Sequence, residues 1–259
     1  MRRRRWLVSP ALILAGAVPG GEARAATAAP ELWRRAVAVF EANRHLLPGR
    51  VLASFAIVDD KGKPKRTSER EMRYALDARG EVQVELVRAL DNGRDVTAKA
   101  RSAFRPERGD GDGQDARENG RASFSLADVP LAAEKQEQVE VLARPETAAL
   151  YGMTCRRFDF SMRLPLAESG RARGKSFSLR GMAWIDEAGG RPVKLEFAPD
   201  PLPSRVKSLW TVFTYGPGAG GEWLLKEIRS EGAGGFLFIK KRFRSRIELN
   251  DHFAVPPGG

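Results

Sequence analysis

From Val51 onwards, apolar and polar residues alternate along this chain with a period of two. Val51, Ala53, Phe55 and Ile57 fall on one face of an expected strand, and Asp59-Asp60-Lys61-Gly62-Lys63-Pro64 supplies the turn that ends it. Met72, Tyr74 and Leu76 then alternate with Glu71, Arg73 and Ala75. After the turn Asp77-Ala78-Arg79-Gly80, Val82, Val84 and Leu86 alternate with Glu81, Gln83 and Glu85. Alternation this clean marks a sheet with one apolar and one wet face. The short connections point to antiparallel neighbours, because a parallel crossover needs about a dozen residues.

The second half of the chain returns to the same period. Phe158, Phe160 and Met162 share a face; Phe177 and Leu179, then Met182 and Trp184, follow a basic stretch at 168–175. Asp186-Glu187-Ala188-Gly189-Gly190 is a hairpin signal, and Val193, Leu195 and Phe197 alternate beyond it. Pro199, Pro201 and Pro203 break the ladder, and strands are expected again at Val206 to Tyr215, Glu222 to Ser230 and Phe236 to Leu249. One stretch has a helical period instead: Trp33, Ala36, Val37, Phe40 and Leu47 recur at three- and four-residue steps, with Pro30 suited to the first turn and Pro48-Gly49 to the stop. A short helix near Leu131 to Gln138 and a strand at Val139 to Leu142 are weaker expectations, and residues 105–122, rich in Gly, Asp and Arg, read as a flexible solvated loop. The expected fold class is mainly β (α+β): an incomplete, strongly curved antiparallel β-barrel of about 10–11 strands with an N-terminal helix over its apolar face.

Dimensions sharpen this picture. A helix of about 17 residues spans about 25 Å, whereas ten strands side by side are about 48 Å wide. Either the sheet curls into a near-barrel or part of its apolar face awaits a ligand, and curled barrels of this size enclose ligand cavities. Phe55, Ile57, Val82, Val84, Phe158, Phe160, Trp184, Leu195, Phe197 and Trp210 are the residues expected inside, as packed core or as the lining of such a cavity.

The first residues add a compartment. Arg2 to Arg5 form a cationic stub, Trp6 to Val18 an uncharged apolar run, and Ala23-Arg24-Ala25 an A-x-A cleavage pattern. The run falls short of the roughly 20 residues that span a bilayer, so a signal peptide at 1–25, removed on export, is expected, with 26–259 forming a single periplasmic domain. The arginine pair before Trp6 leaves Sec and twin-arginine export both open. Cleavage would lower the formal charge from +11 to +7, enough for affinity to an anionic membrane surface, while no helix-turn-helix, zinc-finger or RNP-like pattern supports nucleic-acid binding. The lone Cys155 excludes an intramolecular disulfide and is expected as a small core residue.

Catalytic chemistry finds little purchase. The two histidines, His45 and His252, lack metal-ligand spacing, and there is neither a G-x-S-x-G elbow nor a phosphate-binding loop. Asp110-Gly111-Asp112-Gly113-Gln114-Asp115 alternates oxygen ligands, but Asp115 stands where an EF-hand needs Gly and Arg121 where it needs Glu. No catalytic residue, metal site or cofactor is therefore expected, and a paired-carboxylate hydrolase remains as a third reading.

The layout of a signal peptide, one amphipathic helix and a long antiparallel meander ending in Phe238-Ile239-Lys240-Lys241-Arg242-Phe243-Arg244 resembles the periplasmic lipoprotein-carrier (LolA/LolB-like) family. Gly181 to Asp186 with Gly190 to Glu196 is similar to that family's W-x-D-x-x-G-x-P hairpin. The resemblance implies an incomplete barrel closed by helices whose apolar cavity takes acyl chains, and no functional residue is carried across from it. The expected function is binding or carrying a hydrophobic ligand, an acyl chain or a lipoprotein, in the periplasm. The alternative is a non-enzymatic envelope scaffold that meets a protein partner.

Overall fold

The computed structural model describes residues 21–59, 61–103, 129–165, 176–203, 206–236 and 239–255. Among them lies one antiparallel sheet of 11 strands that does not close. In chain order the elements are α1 (Gly21–Asn43), β1 (Leu46–Leu47), β2 (Arg50–Val58), β3 (Pro64–Leu76), β4 (Val82–Asp91), β5 (Arg94–Asp95) and α2 (Thr97–Ala103). A 3-10 helix (Ala133–Gln138) follows, then β6 (Val139–Leu150), β7 (Met153–Pro165), β8 (Ser176–Asp186), β9 (Pro192–Asp200), β10 (Val206–Pro217), β11 (Trp223–Phe236), β12 (Ile239–Asn250) and β13 (Phe253–Ala254).

The sheet runs β5-β4-β3-β2-β12-β11-β10-β9-β8-β7-β6. It is two meanders, β2 to β5 and β6 to β12, joined where the last long strand lies beside the first, Ser245 opposite Phe55. β1 and β13 form a separate pair, with Leu47 opposite Phe253. Each expected turn has its own chemistry. The Asp59 carboxylate accepts the N–H groups of Lys61 and Lys63 at 3.0 and 2.9 Å, and Asp77 does the same for Arg79 and Glu81 at 2.8 and 3.0 Å. The outer edge is blunted: Arg144-Pro145-Glu146 fall out of register with β7, and a proline there has no N–H to offer a further strand.

The helix differs from the sequence expectation at both ends. It begins at Gly21, with Pro30 inside it, and stops at Asn43, because Leu46 and Leu47 are drawn into pairing with β13. The short α2 had no periodic signal. It is held by tertiary contacts: the Thr97 hydroxyl accepts the Ala89 N–H at 2.9 Å and Arg101 donates to the Leu86 carbonyl at 2.7 Å. The expected loop at 105–122 and the basic stretch at 168–175 lie outside the described residues, as does the apolar run at 6–18. No helix among the described residues is long and apolar enough to cross a membrane.

The buried core joins β7, β8, β9 and β10 to Leu32, Trp33 and Ala36 of α1 and to Val129 and Leu131. The Trp33 ring lies 5.9 Å from Phe158 and 6.4 Å from Phe160, and Phe197 meets Phe213 edge-on at 5.1 Å. Cys155 is fully buried, and burial pushes its thiol above the ordinary range. It should resist a thiol reagent in the native protein and react as one thiol per chain in denaturant; rapid native labelling would contradict the packing.

Candidate functional site

Strand register places each residue on one face or the other, since directly paired residues share a face. One row across the sheet reads Ser68, Phe55, Ser245, Ser230, Thr211, Phe197, Gly181, Phe160, Val141. A second reads Arg70, Ala53, Ile247, Ile228, Phe213, Leu195, Ala183, Phe158, Ala143. Eight of the ten expected interior residues therefore lie on a single face: Phe55, Ile57, Val82, Val84, Phe158, Phe160, Leu195 and Phe197. Trp184, opposite Lys194 and Arg157, and Trp210, opposite Glu231, lie on the other by register, though Trp184 is half-buried and packs against the core.

Burial divides that apolar face in two. Over β7 to β9 it is closed, with Phe158 1%, Phe160 4%, Leu195 0% and Phe197 3% exposed. Over β2, β4 and β12 it is open in two places, at Phe55 (40% exposed) and at Val82 (37%), with Ile57, Val84 and Phe243 half-buried and Val51, Leu86 and Leu249 buried between them. Phe55 and Phe243 stack with their rings 6.1 Å apart. Polar groups are threaded through this open half. Arg70 donates to the Leu90 carbonyl and to Asp91, each at 2.9 Å, and the Thr211 and Ser230 hydroxyls share a hydrogen bond at 3.1 Å.

The opposite face is a lattice of cross-strand ion pairs, including Arg50–Glu71 at 2.8 Å, Arg246–Glu227 at 2.5 Å and Arg244–Glu231 at 3.4 Å. Two shallow depressions lie there, of about 260 and 350 Å³, the larger lined by Val58, Ser208, Trp210, Arg242 and Arg244. Sequence periodicity alone did not reveal these depressions, because each is lined by residues of four strands that are far apart in the chain.

The tip of the β8–β9 hairpin is a densely hydrogen-bonded polar turn. Asp186, 2% exposed, accepts from Gly189 N–H at 2.9 Å and from Arg191 Nε and Nη2 at 2.9 and 2.7 Å. Burial works against its charged form, but the Arg191 guanidinium and the turn N–H groups outweigh burial and hold the carboxyl below its usual range. Arg191 lies over the Trp223 ring at 4.8 Å from its centroid, and the Trp223 indole N–H donates to the Pro192 carbonyl. Gly190 has φ +68°, and a Cβ there would sit 2.6 Å from Arg35 Cβ, so both the turn and α1 require glycine. These contacts account for the Asp and Gly of the hairpin motif as structural residues.

Tyr215 is buried, and its hydroxyl has no hydrogen-bond partner among the described residues; burial raises its ionisation well above the ordinary range. Tyr215→Phe should therefore stabilise the protein by about 1 kcal/mol in urea unfolding, and a loss would reveal a partner. His252 is half-buried, and burial followed by nearby Lys226 lowers its ionisation. No group of three His, Cys, Asp or Glu among the described residues is placed to hold a metal ion.

No protein-family model and no curated sequence matches the chain. Among solved structures it is similar to a putative outer membrane lipoprotein-sorting protein domain from Vibrio parahaemolyticus, at 12% identity and TM-score 0.38 over 88% of this chain and 94% of that one. It is also similar to a DUF1329 family protein from Desulfovibrio piger, at 11% identity and TM-score 0.36 over 89% and 94% of the two chains. A third likeness is to the Pseudomonas aeruginosa MucA/MucB complex, at 9% identity and TM-score 0.20 over 88% and 99%. The lipoprotein-sorting domain is of the kind that the sequence layout resembles. Identities and TM-scores this low give the three likenesses no weight for ligand or partner.

Proposed function

We propose that the protein is exported to the periplasm with loss of residues 1–25, and there binds the acyl chain of a lipid or lipoprotein on the open half of its apolar face. The observation that carries this reading is the division of one face, closed around Phe158 and Leu195 but open around the stacked Phe55 and Phe243. In this reading the sheet is strongly curved into an incomplete barrel, α1 lies over the closed half, and the ligand completes the other. Register shifts at Ile57/Val58, Glu71/Met72 and Thr214/Tyr215 support curvature. So does the Phe243 ring, which fills the space a Cβ on Gly232 would occupy, 2.4 Å from the nearest ring carbon. Each methylene buried against such a face is worth about 0.8 kcal/mol, so an acyl chain of ten or more carbons would bind usefully after its entropic cost.

Lipids extracted from gently purified mature protein and identified by mass spectrometry test the reading directly. Phe55→Ser together with Phe243→Ser should weaken binding of a fluorescent fatty acid by about tenfold or more. Absence of both co-purifying lipid and fatty-acid binding would sink it, and a stoichiometric protein partner recovered by crosslinking without lipid would favour the scaffold reading. An N-terminus at Ala26 in the mature protein is the expected mark of export.

A further inference from the structure

Along most of the polar face each arginine has an acid beside it, as in Arg50–Glu71, Arg246–Glu248 and Arg229–Glu227. One end of the sheet departs from this arrangement. Lys61 and Lys63 in the β2–β3 turn, Lys65 and Arg66 in β3, Lys207 in β10, and Lys241 and Arg242 in β12 are all exposed. Arg66 is close enough to Asp91 to help Arg70 hold that carboxyl below its usual range; the other six have no ion pair with a described residue, and the Asp59 carboxylate in their midst accepts from the backbone of its own turn.

Register brings them together. Pro64 and Arg242 both lie opposite Val58, and Lys241 and Val206 both lie opposite Gly234. The cations thus mark the same end of five adjacent strands, β3, β2, β12, β11 and β10, a front about 20 Å wide. Apolar groups border it on both sides. On the polar face Trp210, 37% exposed, lines the depression of about 350 Å³ together with Val58 and Arg242. On the apolar face Ile57 lies opposite both Arg66 and Phe243.

We propose that this end of the sheet docks on the surface of an anionic lipid bilayer. Clustered cations that outnumber the acids beside them are drawn to lipid phosphates, and the attraction is screened within about 10 Å at moderate salt. An exposed indole beside them suits the headgroup level, where one end of a side chain is wet and the other apolar. The open apolar face ends at the same border, which gives an amphiphile a continuous path from headgroup level to Phe55 and Phe243. A nucleic acid would use the cations and the indole but not that aliphatic border. Docking is independent of the acyl-ligand reading, since it is measured on vesicles whether or not a lipid is extracted.

The test is co-sedimentation of the mature protein with phosphatidylcholine vesicles, with and without phosphatidylglycerol. Binding should require phosphatidylglycerol and weaken steeply with added salt. The variant Lys61→Gln, Lys63→Gln, Lys241→Gln should bind more than about tenfold more weakly. The variant Arg73→Gln, Arg79→Gln, Lys226→Gln, which removes the same charge at the other end, should stay within about threefold of the parent. Unchanged melting temperatures would show both variants folded. Equal binding to neutral vesicles, or equal loss in the two triple variants, overturns the inference. Release from the vesicles by single-stranded DNA at lower concentration than by soluble phosphatidylglycerol would assign the surface to nucleic acid instead.

Discussion

Trp33→Ala should destabilise the protein by about 3–5 kcal/mol, with a fall in Tm on the order of 10 °C. The indole is 5% exposed and faces the Phe158 and Phe160 rings. Its N–H donates to Gln136 Oε1 at 2.9 Å, while Gln136 Nε2 donates to the Pro130 and Ala132 carbonyls at 2.8 and 2.9 Å. Truncation would open a large cavity and leave the half-buried Gln136 acceptor without its donor, and those two costs separate experimentally. Trp33→Phe keeps most of the packing and should cost nearer 1–2 kcal/mol. Arg34→Ala, one residue along in an exposed pair with Glu31, should change stability by less than about 0.5 kcal/mol. A Trp33→Ala loss below about 1 kcal/mol would mean that α1 is not bound through this side chain.

Asp186→Ala should cost about 3 kcal/mol at neutral pH, and Asp186→Asn about half of that. The alanine removes the turn acceptors and leaves Arg191 without its partner; the asparagine keeps an acceptor and removes only the charge. Arg191 is 41% exposed, so water recovers part of the lost ion pair and holds the cost to the lower end for a buried carboxylate. The pH dependence has a definite sign. The folded carboxyl is held below its unfolded value, so its contribution is complete above about pH 4 and is lost as pH falls through the lower folded value. The stability gap between the parent and Asp186→Asn should therefore stay constant from pH 7 to about pH 5 and narrow in more acid solution. A gap that widened with acid would place the carboxyl above its ordinary range.

Much of the meander was legible because its cause is local. A side chain in a strand points to alternate sides, so Val51, Ala53, Phe55 and Ile57 had to share a face, as they do. Asp59, Asp77 and Asp186 announced turns because a short carboxylate reaches the N–H groups two to four residues on. Parity also separates the two tryptophans expected inside. Trp210 is large and apolar, but its parity sets it opposite Glu231 on the polar face, 37% exposed, whereas Trp184, opposite Lys194 and Arg157, still packs against the core.

By itself, then, the sequence determined the class of fold, the strands from Val51 to Leu249, the turns between them and the parity of nearly every side chain, because each depends on neighbours within a few residues. Only the tertiary structure decided what lies across strands. It joined β12 to β2, ended α1 at Asn43 so that Leu46 and Leu47 meet β13, and pinned α2 to β4. It also divided one apolar face into a closed half at Phe158 and an open half at Phe55, and gathered Lys61, Arg66, Lys207 and Lys241 at one end of the sheet. Those residues are far apart in the chain, and period and composition carry no record of the register that makes them neighbours.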